Sequence, residues 1–197
     1  MDTISFQNKG LIDPRCITII GVSVKENENH IGIFGTGLKY AISIILREGG
    51  QVTIWRGIER FDFTTKEIEI RGDKVELVHM NGQELGFTTA LGKHWKVWQA
   101  MREIYCNTVD EGGVSREGEI EPTEDTTTIH VILPEFSECF RNLGQYILGT
   151  KPIIKTKEIE FHGVSSSSVF YRSIRVVDAW DNKPFKFLPN VVAKIDL

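Results

Sequence analysis

The sequence predicts an α/β fold, a two-layer sandwich whose mixed or antiparallel sheet is covered by about three helices. Two patterns carry this expectation. Apolar residues recur at three- and four-residue spacing in three separate stretches, and short alternating segments bounded by turn residues follow one another between them. With 197 residues, of which 41% are hydrophobic and 10% aromatic, the chain can bury one sizeable core and is read as a single domain, 1–197.

The first helix follows the segment HIGIFGTG. From Phe34 onward the apolar positions Leu38, Ile42, Ile45 and Leu46 form its stripe, and Gly49-Gly50 supplies the stop. QVTIWRG then opens an antiparallel meander continued by RFDF, KEIEIRG and KVELVHM, with turns expected at Thr64-Thr65, Gly72-Asp73 and Asn81-Gly82. A second helix is expected from about His94 to Asp110, with Val97, Met101, Ile104 and Thr108 toward the core and Gly112-Gly113 at its end. The acidic tract SREGEIEPTED reads as a surface loop, and TTTIHVILP as a strand closed by proline. EFSECFRNLGQYIL gives a third helix with Phe136, Phe140, Leu143 and Ile147 on one side. KEIEFHG and VFYRSIRVVDAW read as strands, the latter placing Tyr171 and Arg175 on one face. Two prolines make PFKFLPNVVAKIDL irregular or edge-like.

Charge and composition narrow the function classes. A net charge of −4 removes the electrostatic basis for nonspecific nucleic-acid binding. The three cysteines, Cys16, Cys106 and Cys139, are far apart and form no CxxC pair, so a reducing cytoplasm fits. Neither a signal-like start nor a long apolar run suggests a membrane. The five histidines show no HxH, HExxH or HxxxH spacing, which leaves zinc without its usual ligand pattern. His30 adjoins the glycine segment; the others read as ordinary surface or strand histidines.

Two polar features remain. Gly32, Gly35 and Gly37 precede the first helix, with Thr36 and Lys39 beside them. Leu38 follows Gly37 where a Walker loop needs lysine, and no strand precedes the loop as a dinucleotide turn requires. What is left is a loop that offers amides and a positive helix end to an anion, with Lys39 either a point charge near it or a solvated side chain. In the second helix Glu103, Asn107 and Asp110 stand at i, i+4 and i+7 and share one side. Asparagine has poor helix propensity, so Asn107 asks for a reason. An amide oxygen for Mg²⁺ beside a carboxylate that orients or deprotonates water is one.

ExxxNxxD on a helix ended by glycines resembles the N-box of the GHKL, or Bergerat, ATP-binding superfamily of gyrase-type topoisomerases, MutL, heat-shock chaperones and histidine kinases. IGIFGTGLK is similar to that superfamily's second glycine box. The resemblance implies that Glu103 is the water-activating base, Asn107 the Mg²⁺ ligand and Asp110 a residue of the nucleotide pocket, while the amides around Gly35, Thr36 and Gly37 hold phosphates. Because the glycine loop precedes the ExxxNxxD helix, the resemblance implies a circular permutant. Small phage-encoded proteins of unassigned role show a similar order, including a later YRxxRV segment, here Tyr171 to Val176; such an origin would place the chain in host cytoplasm. The family's DxGxG aspartate has no counterpart: FQNKGLID puts Phe6 there, with Asn8 and Asp13 as the nearest substitutes. The expected ligand is therefore ATP or a related nucleotide with Mg²⁺, bound with or without hydrolysis, and the family's mode of action leaves room for a homodimer or a protein partner.

Overall fold

The computed structural model describes residues 2–19, 36–163, 168–177 and 187–192. The chain is α/β and packs as two compact units, 1–141 and 142–197, where the sequence reading takes one domain. Among the described residues no helix is long and apolar enough to cross a membrane.

The first unit contains β1 (Thr3–Lys9), the short α1 (Arg15–Thr18), α2 (Gly37–Arg47), β2 (Gln51–Arg56), β3 (Glu59–Ile70), β4 (Asp73–Met80), β5 (Gln83–Thr88), α3 (Val97–Asp110), β6 (Val114–Glu117), β7 (Thr126–Ile132) and α4 (Pro134–Arg141). Its seven strands form one sheet in the order β5-β4-β3-β2-β7-β1-β6, antiparallel at every pairing. Register explains the two layers. Ile4 and Phe6 of β1 lie opposite Val131 and Ile129 of β7, which lie opposite Val52 and Ile54 of β2, so one sheet face is apolar. Phe6 meets Phe136 and Phe140 of α4 edge-on, with ring centroids 6.1 and 5.8 Å away, which places the helices over this face. The helices lie side by side, α3 packing against both α2 and α4. The intervening row, Ser5, His130 and Thr53, belongs to the opposite face. Residues 118–121 strap that face: Ser5 Oγ donates to the Gly118 carbonyl at 2.7 Å, and Gln7 Nε2 donates to the Glu121 carbonyl at 2.9 Å.

Several local expectations change here. Thr64-Thr65 is not a turn, because β3 runs through it to Ile70 in unbroken register with β4. The tract SREGEIEPTED begins as β6, an edge strand on β1, before it becomes the strap. Helix α3 starts at Val97 rather than His94: the Gln99 side chain accepts the Lys96 amide at 2.9 Å, which fixes the first turn there. Its predicted stripe Val97, Met101, Ile104 and Thr108 is buried. Helix α4 stops at Arg141, short of Leu143 and Ile147.

The second unit opens with a 3-10 turn at Leu143–Gln145, followed by β8 (Ile154–Lys155), β9 (Ile159–His162), β10 (Val169–Tyr171), β11 (Ile174–Val177) and β12 (Leu188–Val191). They form a sheet in the order β11-β10-β12-β9-β8, with β10 and β12 parallel. The segment expected to be one strand through Tyr171 and Arg175 is a hairpin, since Arg172 and Ser173 take φ of +49° and +67° and reverse the chain. Tyr171 and Arg175 consequently stand on different strands, and Arg175 lies over the Tyr146 ring, 5.6 Å from its centroid. Pro189 does not force an edge: β12 sits between β10 and β9.

Candidate functional site

The glycine that starts α2 is where the two polar features of the sequence meet. A Cβ built on Gly37 would stand 1.9 Å from Glu103 Oε1 and 2.2 Å from Glu103 Cδ. Only glycine admits the Glu103 side chain at this point, so α3 lays a carboxylate directly on the first residue of α2. The first amides of a helix have no carbonyl four residues back, and the N-terminal end carries partial positive charge. Thr36, the N-cap, makes no side-chain capping bond. Glu103 thus brings negative charge where α2 favours it.

Asn107, one turn along α3, donates through Nδ2 to the same Glu103 Oε1 at 3.1 Å. The mid-helix asparagine therefore holds the carboxylate against α2. Asp110 follows as the last residue of α3, where the helix dipole disfavours a carboxylate by roughly 0.3–1 kcal/mol. Glu103, Asn107 and Asp110 are all half-buried. Thr36, Gly37, Glu103 and Asn107 are assembled at one end of α2. Gly32, Gly35 and His30 lie outside the described residues, as does Phe34.

Lys39 does not sit as a solvated lysine. It is fully buried (0% exposed), and its Nζ donates to the Cys16 carbonyl in α1 at 2.5 Å. Burial pushes the Lys39 amine below its ordinary value, with Cys16 acting weakly the other way. The side chain ties the segment after β1 to the first turn of α2. Phe6, at the position of the base-reading aspartate, is core; of the two nearest substitutes, Asn8 donates through Nδ2 to the Lys9 carbonyl at 3.1 Å and Asp13 is paired with Arg15 at 2.5 Å. The side-chain and backbone hydrogen bonds from Arg15 hold the Asp13 carboxyl down at about 2.

The sequence reads Trp95 and Trp98 as core or sheet-packing residues and does not single out the arginine that joins them beside Glu103. Arg102 lies over the rings of Trp95 and Trp98, 5.8 and 5.4 Å from their centroids, and Trp95 meets Tyr40 of α2 edge-on at 5.1 Å. Desolvation in this stack lowers the Arg102 pKa, with Glu103 and Cys106 opposing. Trp98 and Arg102 stand at i and i+4, a spacing visible in the sequence.

Family models, curated proteins and solved structures all give no match. The site therefore stands on its own geometry. Among the described residues no group of three or more His, Cys, Asp and Glu side chains is arranged to hold a metal ion. The oxygen donors at the end of α2 are a different kind of set. Mg²⁺ keeps several waters and takes one or two protein oxygens beside phosphate oxygens, and Glu103 and Asn107 offer that chemistry.

Proposed function

We propose that the end of α2 binds ATP or a related nucleotide with Mg²⁺, as the GHKL-like reading of the sequence implies. The observation that carries this is the seating of the Glu103 carboxylate on Gly37, with Asn107 bonded to it. Phosphate oxygens suit a helix N-terminus whose amides lack internal partners. Asn107 gives its amide nitrogen to Glu103, so its oxygen is the atom that would meet the ion, which supplies charge neutralisation at the phosphates when bound. Glu103, held in place by Asn107 and by the α2 backbone, is the group to orient and deprotonate a water. Asp110 completes the acidic line on the same helix.

Calorimetric titration with ATP, other nucleotides and Mg²⁺ tests the proposal on the wild type, Asn107→Ala and Glu103→Ala. Metal-dependent binding that is lost in Asn107→Ala, with phosphate release lost in Glu103→Ala, supports a Mg²⁺-dependent ATPase. Tight binding without turnover in any of the three assigns the site to sequestering or sensing a nucleotide. Absence of heat at millimolar nucleotide with Mg²⁺ would overturn both readings.

A further inference from the structure

The second unit contains a constellation that the nucleotide reading does not use. Glu160 and His162 stand two residues apart on β9 and so share a sheet face. His162 is only 2% exposed. Its Nδ1 lies 2.9 Å from Oγ1 of Thr150, a residue that is itself exposed. On the far side of the ring, Nε2 has no hydrogen-bond partner among the described residues and lies 3.7 Å from Glu160 Oε2. The carboxylate is anchored twice: Lys155 Nζ lies 2.7 Å from Oε1, and Asn190 Nδ2 donates to Oε2 at 3.1 Å. Asn190 is fully buried and its Oδ1 accepts the Ser173 amide at 2.8 Å, which fixes the anchor to the β10–β11 turn. The hydrogen bond from Lys155, above all, holds the Glu160 pKa below its ordinary value, so the group is ionised at neutral pH. A Cβ built on the neighbouring Gly149 would meet no atom within 4 Å among the described residues.

An exposed hydroxyl, a buried imidazole and an anchored carboxylate in line have the roles of nucleophile, base and orienting group. We propose that Thr150 is an activated nucleophile that takes the acyl group of an activated carboxylic ester, with His162 as its base and Glu160 positioning the ring. Neutral His162 accepts the Thr150 proton at Nδ1 while its Nε2–H faces Glu160. Thr150 Oγ1 bonds to the carbonyl carbon, the ester C–O bond breaks, and the proton on Nδ1 passes to the departing alkoxide. Water attacks the acyl-threonine in the same way: its proton goes to Nδ1 and then to Thr150 Oγ1, so ester and water become acid and alcohol.

The test incubates the full chain with p-nitrophenyl acetate, following p-nitrophenolate release and mapping acetylated peptides by mass spectrometry. Acetylation at Thr150 is expected, lost in Thr150→Ala, kept in Thr150→Ser, and slowed about a hundredfold in His162→Gln. Glu160→Gln is expected to lower the maximal rate without moving the half-saturating ester concentration, a split that a merely structural role would not give. An acetyl group absent from Thr150, or a rate unchanged in a folded His162→Gln protein, overturns the proposal. Should His162→Gln unfold by circular dichroism, an unchanged rate in Glu160→Gln overturns it instead.

Discussion

A methyl group added at Gly37 and one added at Gly113 meet different obstacles. At Gly37 the nearest atoms are the outer atoms of the Glu103 side chain, which can swing away. Gly37→Ala is therefore expected to leave stability within about 1 kcal/mol of wild type, because alanine's better helix propensity offsets the displacement. The Asn107–Glu103 bond should break, so the proposed Mg²⁺-dependent nucleotide binding should weaken in a calorimetric titration while the urea midpoint hardly moves. At Gly113 the obstacle is backbone, the Gln7 carbonyl at 2.4 Å, with Asn8 Cβ and Thr108 Cγ2 at 2.8 Å. Gly113→Ala should destabilise by about 1–3 kcal/mol in the same measurement. A third expectation concerns charge. The Asp13 pKa is lowered from 3.8 to about 2, so its bond to Arg15 contributes in full above the unfolded value and is lost as pH falls toward about 2. Carboxyl NMR should show that low midpoint, and Arg15→Ala should return it toward 3.8. At this scale Glu103, Asn107 and Asp110 were legible because helical spacing alone aligns them. The burial of Lys39 was not, because it depends on the Cys16 carbonyl, a partner far along the chain.

Elements were legible where periodicity and punctuation agreed. The stripe of α3 and the Asn81-Gly82 turn are read directly from sequence, the latter with φ of +50° and +79° as a tight hairpin demands. Polar threonines at positions 64 and 65 carried no such information: β-branched residues continue a strand as readily as they end one. The β10–β11 turn escaped notice for the opposite reason, as Arg172 and Ser173 adopt positive φ without glycine or asparagine. That conformation costs an ordinary L-residue on the order of 1 kcal/mol. Ser173→Gly should therefore stabilise the second unit by up to about 1 kcal/mol, seen as slower amide exchange across β10, β11 and β12. The bond from its amide to Asn190 does not need the serine side chain.

For the whole molecule, the expected α/β class and the helix-covered sheet follow from pattern, whereas the division into two units does not. No proline-rich or glycine-rich linker marks residue 141; the boundary lies inside a stretch whose apolar spacing looks helical to Ile147. What closes the first unit is a side chain. Arg141 bonds both Asp2 and Glu117, joining the end of α4 to the start of β1 and the end of β6. A chain ending at Arg141 is expected to unfold in one cooperative transition by calorimetry, and a multiphasic melt would show that the second unit is needed. Arg141→Ala in that shortened chain should lower the midpoint.

The strand pairing of β3 leaves one more consequence. Only Glu59–Asp62 pair with β2, while the remainder of β3 pairs with β4 alone and ends in a turn at Arg71-Gly72 with φ of +55° and +90°. Residues 69–74 are exposed, and no core side chain comes from them. This ribbon is a natural port for foreign sequence. An epitope or a small fluorescent reporter spliced between Arg71 and Gly72 should leave the fold intact, giving a handle on the first unit that displaces no core side chain.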